Sequence, residues 1–447
     1  MSDSAAPSAT APAGAAVPAA SAAEMAAQFE RVLFRLSTIS DEEQLQHVLA
    51  SLLPMLMMRL RTDLAAAPRA KLLEVLSHIN KRVKDRRSIR LPVADLLQCL
   101  STCDAFAVSF IMMYVRLGVD RLASEEAERV ALSLLRIASF PASQLDALCH
   151  VLLRCLPSIV IPPTAEAQVA KLGALMEPAN KAILFPLFLD TLLFLKHTAA
   201  SAPSPGATPR TADAVASGGS AQAPAAAAAP ASAALVASPG MSGAPLTRIV
   251  GPDVSAAAAS GVEGVEELRV RKRTILRLAD TSSLWSAEEA LLLFIGASAD
   301  TTADINTLAE ERIKRLAPSA NVESATLVTA LTALMMGSAL PDARDARTPG
   351  PPAVRIHAMS LLSRSRLAAT AMPGMPKLVF ECLYGKNTLA KLQLAGLRLL
   401  SLAVQTCESN ILTPLAPLFV FQGLLRFLQA PAAAAAAGAC RKRSNPW

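Results

Sequence analysis

Cysteines and histidines are the first candidates for chemistry in this sequence. Cys99 and Cys103 lie one helical turn apart, and Cys149, His150 and Cys155 form a second group. Thiolates and imidazoles at such spacing are ligands that zinc and other soft metals accept. Cysteine in an apolar helix also fills a core as a small hydrophobic residue, and we favour that interpretation for both groups. The sequence therefore predicts no metal site.

The motifs of common enzyme classes are missing. A phosphate-binding loop needs closely spaced glycines that open a helix, and Gly385-Lys386-Asn387 has no upstream glycine. Zinc hydrolases place two histidines on one helix face, whereas the five histidines here are scattered. A nucleophile elbow of the G-x-S-x-G type is also missing. We therefore expect no catalytic residues, no cofactor and no small-molecule substrate.

The densest charge in the sequence lies at the end of one predicted helix. Six cations surround a single acid, Asp85, and together they account for five of the seven net positive charges of the chain. No aromatic side chain is present there to stack on bases, so nucleic-acid binding is the weaker functional interpretation. Contact with an acidic protein surface is the other, and a solvated helix end is the structural alternative. The candidate contact residues, called the basic cluster below, are Lys81, Arg82, Lys84, Arg86, Arg87 and Arg90.

Composition predicts an all-α fold. The residues AVILMFWYC make up 52% of the chain but aromatic residues only 4%, so Leu, Ala, Val, Ile and Met must build the core. Stacked helices have this composition, while strands favour β-branched and aromatic residues. The methionines Met55, Met57 and Met58 could form an adaptable binding surface, but we favour core filling.

Targeting signals are not recognisable near the start of the sequence. The segment Met1 to Ala23 lacks a positive n-region and is interrupted by three prolines. Seven cysteines without a secretory signal are typical of reduced thiols in a cytosolic or nuclear protein. No apolar run approaches the ~20 residues that span a bilayer. We therefore expect a soluble protein of the cytoplasm and nucleus, without membrane insertion.

Apolar residues recur at helical spacing along most of the chain. Ser40 with Glu43 and Ser286 with Glu289 have the spacing of capping boxes and mark two helix starts. The spacing predicts an all-α solenoid of HEAT-like or armadillo-like repeats, because alternate helix starts are about 35 to 47 residues apart. Those starts lie near Ala22, Arg69, Asp104 and Ser143.

Low-complexity sequence divides this helical pattern. Between residues 199 and 260 the chain is rich in Ala, Pro, Gly and Ser and has few large apolar residues. Such a composition cannot bury enough surface to offset the entropy of ordering, so we predict a disordered insert. The predicted organisation is a disordered tail at 1–21, HEAT-like repeats at 22–198, the insert at 199–260, a second block of repeats at 261–430 and a disordered tail at 431–447.

The stretch LLEVLSHINKRVKDRRSIRLPVADLL, from Leu72 to Leu97, resembles the N-terminal region of the large HEAT-repeat proteasome-associated adaptor and scaffold proteins. In that family a helix ending in a His/Asn-Lys-Arg segment runs through a basic turn into Leu-Pro-Val and the next helix. The resemblance covers both helical blocks, at about 24 to 197 and 265 to 429, in family order. Five further stretches resemble the family: Glu30 to Leu60, Ala107 to Leu122, Leu361 to Pro373, Cys382 to Val404 and Pro414 to Phe419.

The resemblance implies a non-enzymatic adaptor that binds the proteasome and supports the association or quality control of its core and regulatory particles. It also implies links to other adaptor or motor proteins. The family proteins are several times longer, so we expect this chain to be part of a longer protein. A helical-repeat scaffold of another pathway, such as nuclear transport or vesicle traffic, is the first alternative, because one fold serves many partners. Nucleic-acid binding through the basic cluster is the second.

Overall fold

A computed structural model describes most of the chain, and within the described residues the fold is all-α. These residues form 18 α-helices joined by short 3-10 turns, and the only β-type pairings among them are isolated bridges of Arg347 with Ser242 and Ser338. The all-α prediction is therefore confirmed. The predicted tail at 431–447 and residues 1–18 of the other tail lie outside the described residues. The described residues are 19–61, 63–86, 88–195, 236–252, 261–338, 345–372, 374–385, 389–407, 413 and 416–417.

Nine of these helices lie before the predicted insert: α1 Ala19–Thr38, α2 Glu42–Arg59, α3 Ala66–Asp85, α4 Val93–Gln98, α5 Ala105–Val119, α6 Ser124–Leu134, α7 Leu145–Cys155, α8 Ala165–Leu172 and α9 Pro178–Leu193. The other nine lie within it or follow it: α10 Thr247–Val250, α11 Gly261–Ala279, α12 Ala287–Ala297, α13 Ala303–Leu316, α14 Ala325–Met336, α15 Pro352–Leu362, α16 Arg366–Thr370, α17 Met375–Tyr384 and α18 Ala390–Thr406. No single helix among the described residues is long and apolar enough to cross a membrane. By length and composition alone, the bent pair Ala165–Met176 and Pro178–Leu193 meets that test.

The chain divides into two compact units between Ser133 and Leu134, not at the predicted insert. Helices on both sides of the insert belong to the second unit, where α9 packs against α11 and α12. The predicted division into two helical blocks at 199–260 along the sequence stays a prediction. Helix α9 packs against helices that follow the insert, and Lys181 of α9 pairs with Glu289 of α12 at 2.7 Å.

The first unit is held together by regular apolar stripes. Helix α1 packs on α3, and α2 packs on α4 and α5. The buried Tyr114 on α5 donates its hydroxyl to the Leu76 carbonyl of α3 at 2.8 Å, so its polar atom is satisfied inside the core. One residue per turn of α2 is buried: Leu45, Leu49, Leu53 and Leu56, with Met57 beside them.

The start of α2 differs from the predicted capping box. Asp41 is the N-cap and accepts a hydrogen bond from the Gln44 backbone N–H at 3.0 Å. A carboxylate there also complements the positive end of the helix dipole, which a serine hydroxyl cannot do. The backbone carbonyl of Ser40 instead accepts a hydrogen bond from Arg86 at 3.0 Å.

The start of α12 in the second unit follows the prediction. Ser286 Oγ accepts the Glu289 N–H at 3.2 Å, and the Glu289 carboxylate accepts the Ser286 N–H at 3.0 Å. This is the predicted capping box, and it is confirmed. Farther along α12, Gly296 allows the helix to approach α9, since a Cβ at this position would lie 2.6 Å from Leu189.

A buried ion pair lies in the same unit. Lys272 of α11 and Asp300, which follows α12, form a salt bridge with side chains only 3% and 4% exposed. Asp300 also accepts the Thr302 backbone N–H at 2.7 Å, which fixes the turn into α13. Burial lowers the pKa of Lys272, while the carboxylate of Asp300 acts in the opposite direction. Neither charge could stay buried without the other.

Residues 236–252, called the strap below, correct the predicted insert. The strap contains α10 and buries Met241 and Ile249, each no more than 3% exposed. Arg248 pairs with Asp146 of α7 at 2.6 Å, and α10 packs along that helix. The insert prediction is therefore wrong for these 17 residues, because a few apolar residues with specific polar partners are enough to hold them. The rest of the insert, 199–235 and 253–260, lies outside the described residues.

Hydrogen bonds fix the strap at its start, its middle and its end. At its start, the Ser238 hydroxyl accepts the Leu195 N–H at 2.8 Å, so the chain returns to the end of α9. In its middle, Asp190 of α9 accepts hydrogen bonds from the Ser242 N–H at 3.1 Å and from Arg347 at 2.9 Å. At its end, the Ile249 carbonyl accepts a hydrogen bond from Arg271 of α11 at 3.2 Å. The strap thereby connects three helices with the segment that precedes α15.

Glu323 provides a smaller contact that can be tested by pH. Its carboxylate accepts the backbone N–H groups of Arg366 at 2.7 Å and Leu367 at 2.8 Å, at the start of α16. Burial alone raises the pKa of this carboxyl, but those N–H groups and the Ser365 hydroxyl lower the pKa below its ordinary value of 4.5. A carboxyl with a lowered pKa stabilises the fold above pH 4.5, and that stabilisation is lost as the pH falls through the folded-state pKa.

We therefore expect Glu323→Gln to lower the free energy of unfolding by about 0.5–1 kcal/mol at neutral pH, the lower part of the range for a helix cap because the side chain is exposed. The difference from the parent should shrink as the pH falls below 4.5. Thermal unfolding followed by circular dichroism at a series of pH values measures both effects. Glu311→Gln, at an exposed position on α13, is the control and should have little effect. A loss for Glu323→Gln that is equally large in acid would contradict this account.

Candidate protein-binding surface

The basic cluster lies at the end of α3 and in the turn that leads to α4, within the first unit. Two of its arginines point back to the end of α1. Arg82 donates hydrogen bonds to the Leu36 and Ile39 carbonyls, and Arg86 donates to the Ser40 carbonyl at 3.0 Å. Burial and the nearby charge of Arg86 lower the pKa of Arg82. These two arginines therefore satisfy the carbonyl groups that the end of α1 leaves free.

The backbone of the same turn is also fixed. Arg121, just after α5, donates hydrogen bonds to the carbonyls of Val83 at 2.9 Å and Arg86 at 3.1 Å. On the other side, Gln46 of α2 accepts the Arg90 N–H at 3.2 Å. A turn held from two directions presents its remaining side chains in a fixed arrangement, which favours recognition because little entropy is lost on binding.

Three cations of the basic cluster remain available to a partner. Lys81, Lys84 and Arg90 are exposed, and the structure gives their side chains no ion-pair or hydrogen-bond partner among the described residues. Arg87, the sixth predicted residue, lies outside the described residues. The structure therefore divides the predicted set into two groups. Arg82 and Arg86 stabilise the fold through hydrogen bonds, and the side chains of Lys81, Lys84 and Arg90 are exposed.

An open groove between α1 and α3 adjoins one of these cations. It has a volume of about 630 Å³ and is lined by Leu33, Phe34, His78 and Lys81, among others. Phe34 is 71% exposed and contributes an aromatic side chain to this surface. Burial, together with the charges of Arg82 and Lys81, lowers the pKa of His78, so the imidazole is neutral at neutral pH. The groove therefore places an exposed aromatic side chain beside an ammonium group, and the carboxylates of Glu30 and Glu74 also line it.

A second run of cations, on α11, is neutralised by the fold. Arg269 pairs with Asp304 at 3.0 Å, and Arg273 contacts the same carboxylate at 2.6 Å. Arg271 pairs with Glu267 at 3.1 Å, and Lys272 forms the buried pair described above. This dense basic sequence therefore differs from the basic cluster, because its charges are paired with carboxylates of its own unit.

The predicted metal candidates do not come together as a metal site among the described residues, where no group of three His, Cys, Asp or Glu side chains could hold an ion. Cys149 and Cys155 are buried, which confirms core filling for them, and burial raises the pKa of the Cys149 thiol to about 12. His150 instead contacts the Ile249 carbonyl of the strap at 3.2 Å. Cys99 and Cys103 are half-buried, with Cys103 Sγ near the Met57 carbonyl at 3.7 Å.

The three methionines of α2 divide between the core and the surface. Met57 is fully buried, as core filling requires, while Met55 and Met58 are 40% and 49% exposed. Core filling is therefore confirmed only for Met57. Residue types alone could not separate the three, but their helical positions could, because Met57 falls on the buried face with Leu53 and Leu49.

Comparison with known proteins identifies the family. The family model described as "Proteasome component ECM29, N-terminal" matches residues 29–443 of this chain. The human (Homo sapiens) proteasome adapter and scaffold protein ECM29 is 27% identical over 414 residues, which is 90% of this chain and 21% of that protein. The Drosophila melanogaster proteasome-associated protein ECM29 homolog is 28% identical over 166 residues, 37% of this chain and 9% of that protein.

The match covers only a small part of each relative's length. The chain spans about a fifth of the length of the human protein that it resembles. No solved structure matches the chain. The family model covers most of both described units, and it confirms the resemblance drawn from Leu72 to Leu97. The chain therefore belongs to the family described as the N-terminal region of the proteasome component ECM29.

Proposed function

We propose that this chain is a non-enzymatic scaffold that binds the proteasome. The observation that carries the proposal is the family match over residues 29–443, together with relatives named as proteasome adapter, scaffold and proteasome-associated proteins. Helical-repeat units present large surfaces on a rigid frame, which suits a scaffold. Its proposed partners are subunits of the proteasome core and regulatory particles, whose association it supports, and other adaptor or motor proteins. Its proposed location is the cytoplasm and the nucleus.

The surface that we assign to the proteasome contact is the exposed part of the basic cluster. The side chains of Lys81, Lys84 and Arg90 form no ion pair or hydrogen bond among the described residues, and the turn that carries them is fixed by Arg121 and Gln46. Exposed charges act mainly on the association rate and on the choice of partner, and salt screens them beyond about 8 to 10 Å. An acidic surface of the proteasome is therefore the complementary partner.

Reversing these three charges should weaken proteasome binding without unfolding the chain. We expect Lys81→Glu with Lys84→Glu and Arg90→Glu to reduce the affinity for purified proteasomes by at least about tenfold at low salt. The reduction should become smaller at moderate salt, because screening weakens the parent as well. Arg82 and Arg86 are left unchanged in this variant, since their loss would free the carbonyl groups at the end of α1.

The matched control reverses three exposed cations elsewhere, namely Arg116, Lys377 and Lys391. It has the same net charge as the test variant and should bind proteasomes nearly as well as the parent. Equal losses in the two variants would mean that only overall charge matters, and an unchanged test variant would place the contact elsewhere on the scaffold. Circular dichroism of both variants verifies that each is folded.

Two rival functions predict different outcomes. A scaffold of nuclear transport or vesicle traffic would bind the complexes of those pathways and not purified proteasomes. A nucleic-acid protein would bind duplex or single-stranded oligonucleotides with a steep salt dependence that the triple Glu variant abolishes. Affinity capture with identification of the bound proteins, followed by titration with oligonucleotides at two salt concentrations, separates both rivals from the proposal.

A further inference from the structure

A second groove of the first unit, between α1 and α2, has a different character from the surface described above. Its volume is about 300 Å³, and three arginines surround it: Arg31 and Arg35 of α1 and Arg59 of α2. None of the residues that line it carries a carboxylate. The groove is therefore uniformly basic, whereas the groove beside Phe34 is also lined by Glu30 and Glu74.

The three arginines are not neutralised within the described part of the chain. Arg31 and Arg35 are four residues apart, so they lie on the same face of α1 as neighbouring like charges. Both are exposed, and no carboxylate of the described residues pairs with either. Among the described residues, the Arg59 guanidinium donates a hydrogen bond to the neutral amide of Gln28 at 3.4 Å and pairs with no carboxylate. Three guanidinium groups around one groove repel each other, and an anion bound between them would remove that repulsion.

The base of the groove is apolar. Val32, Met55 and Leu56 line it together with Phe29. Met55 is 40% exposed and lies next to Leu56, which is fully buried. A methionine side chain adapts its shape to an apolar partner, and Met and Arg are both enriched at protein interfaces. The groove thus combines a deformable apolar surface with three donors that pair carboxylates in bidentate geometry.

We propose that this groove binds an acidic segment of a partner protein. An apolar side chain of the segment packs on Met55 and Val32, and its flanking carboxylates pair with Arg31, Arg35 and Arg59. The identification of that partner as a proteasome subunit rests on the function proposed above. The inference that the groove binds an acidic segment rests on the residues that line it and is independent of that function.

Other occupants fit the groove less well. Residues 1–18 precede α1 and contain a single acid, Asp3, so the chain's own tail cannot supply three carboxylates. Nucleic acid would need an exposed aromatic ring or a basic track, and the one aromatic residue of the groove, Phe29, is 2% exposed. Charge and apolar surface together therefore favour an acidic peptide segment.

The test uses the full chain and a defined probe. A fluorescein-labelled peptide with glutamates on both sides of a central leucine is titrated with the parent and with the variant Arg31→Glu/Arg35→Glu. We expect the variant to bind the peptide at least about tenfold more weakly, since two charge-assisted contacts are lost. The control variant Arg116→Glu/Arg129→Glu changes the net charge equally at exposed positions outside the groove and should bind like the parent. A peptide with Gln in place of Glu should also bind weakly.

The proteasome is tested separately with the same proteins. If the parent captures purified proteasomes and the groove variant binds the peptide as well as the parent does, the groove proposal is wrong while the proposed function stands. If the parent binds the peptide through the arginines but captures no proteasome, the groove is confirmed and the proposed function fails. The acidic-peptide assignment would be overturned if a single-stranded oligonucleotide displaced the peptide and its binding required Arg31 and Arg35. Met55→Asp, which should abolish peptide binding while thermal unfolding stays close to that of the parent, tests the apolar part of the groove.

Discussion

Replacing residues 199–252 with Gly–Ser sequence of equal length should lower the free energy of unfolding by about 4 kcal/mol or more, whereas the same replacement of residues 199–235 alone should leave it nearly unchanged. The difference in unfolding free energy between the two variants measures the contribution of the strap, because both variants have the same chain length and the same Gly–Ser sequence at 199–235. Burial of Met241 and Ile249 contributes about 1.5–3 kcal/mol each. Loss of the strap also removes Ser242 from Asp190, and it leaves Asp146 without Arg248.

The measurement is urea unfolding followed by circular dichroism, with the helical signal of the folded state as a second readout. The shorter replacement tests the composition argument for residues 199–235. It should be tolerated because Leu195 and Ser238 are hydrogen-bonded neighbours, so the segment between them begins and ends at one place. A large loss of stability in the shorter variant would contradict that argument. A stable longer variant would mean that the strap contributes little.

Lys272→Met should lower the free energy of unfolding by about 3–5 kcal/mol, the usual cost of leaving a buried charge without its partner. Asp300 would remain 4% exposed next to an apolar side chain, with the Thr302 N–H as its remaining contact. The effect is large although Lys272 is only one of five cations on α11. Arg273→Met, at a 43% exposed position on the same helix, is the control and should cost less than about 1 kcal/mol.

The double variant Lys272→Met/Asp300→Asn separates charge from packing. The amide introduced at position 300 would still accept the Thr302 N–H but would carry no charge, so most of the lost stability should return. Urea unfolding of the parent, both single variants and the double variant gives the coupling free energy of the pair. If the double variant is as unstable as Lys272→Met, the loss comes from the packing of the lysine chain, and the account of a charged pair is wrong.

Local patterns in the sequence predicted the local features of the fold. Helical periodicity predicted the all-α class, and the spacing of Ser286 and Glu289 predicted the capping box at α12. These features depend on residues within one helical turn, which the sequence displays directly. At α2 the same reasoning misplaced the cap by one residue, because Ser40 and Asp41 both have cap side chains. In the structure the Asp41 carboxylate takes this position and accepts the Gln44 N–H.

Long-range partners explain what the sequence could not show. Composition averages over many residues, so the alanines and prolines around the strap concealed the buried Met241 and the helix α10, which packs against α7 and α9. Within MSGAPLTRIVG, Leu246, Ile249 and Val250 recur at helical spacing before Gly251, a local pattern that is typical of a short helix. In the basic cluster, charge density could not separate Arg82 from Lys81, because that difference depends on the end of α1. The groove at Arg31 and Arg35 was missed, although their spacing on α1 was visible.

Direct titration of the two purified components decides whether this chain binds the proteasome. The full chain, labelled with a fluorophore, is mixed with increasing concentrations of purified proteasomes, and fluorescence anisotropy reports the bound fraction. We expect saturable binding at moderate salt. Unlabelled chain should compete with it, and the triple Glu variant of Lys81, Lys84 and Arg90 should bind more weakly. A folded chain whose anisotropy stays constant across the titration at both low and moderate salt would contradict the proposed function.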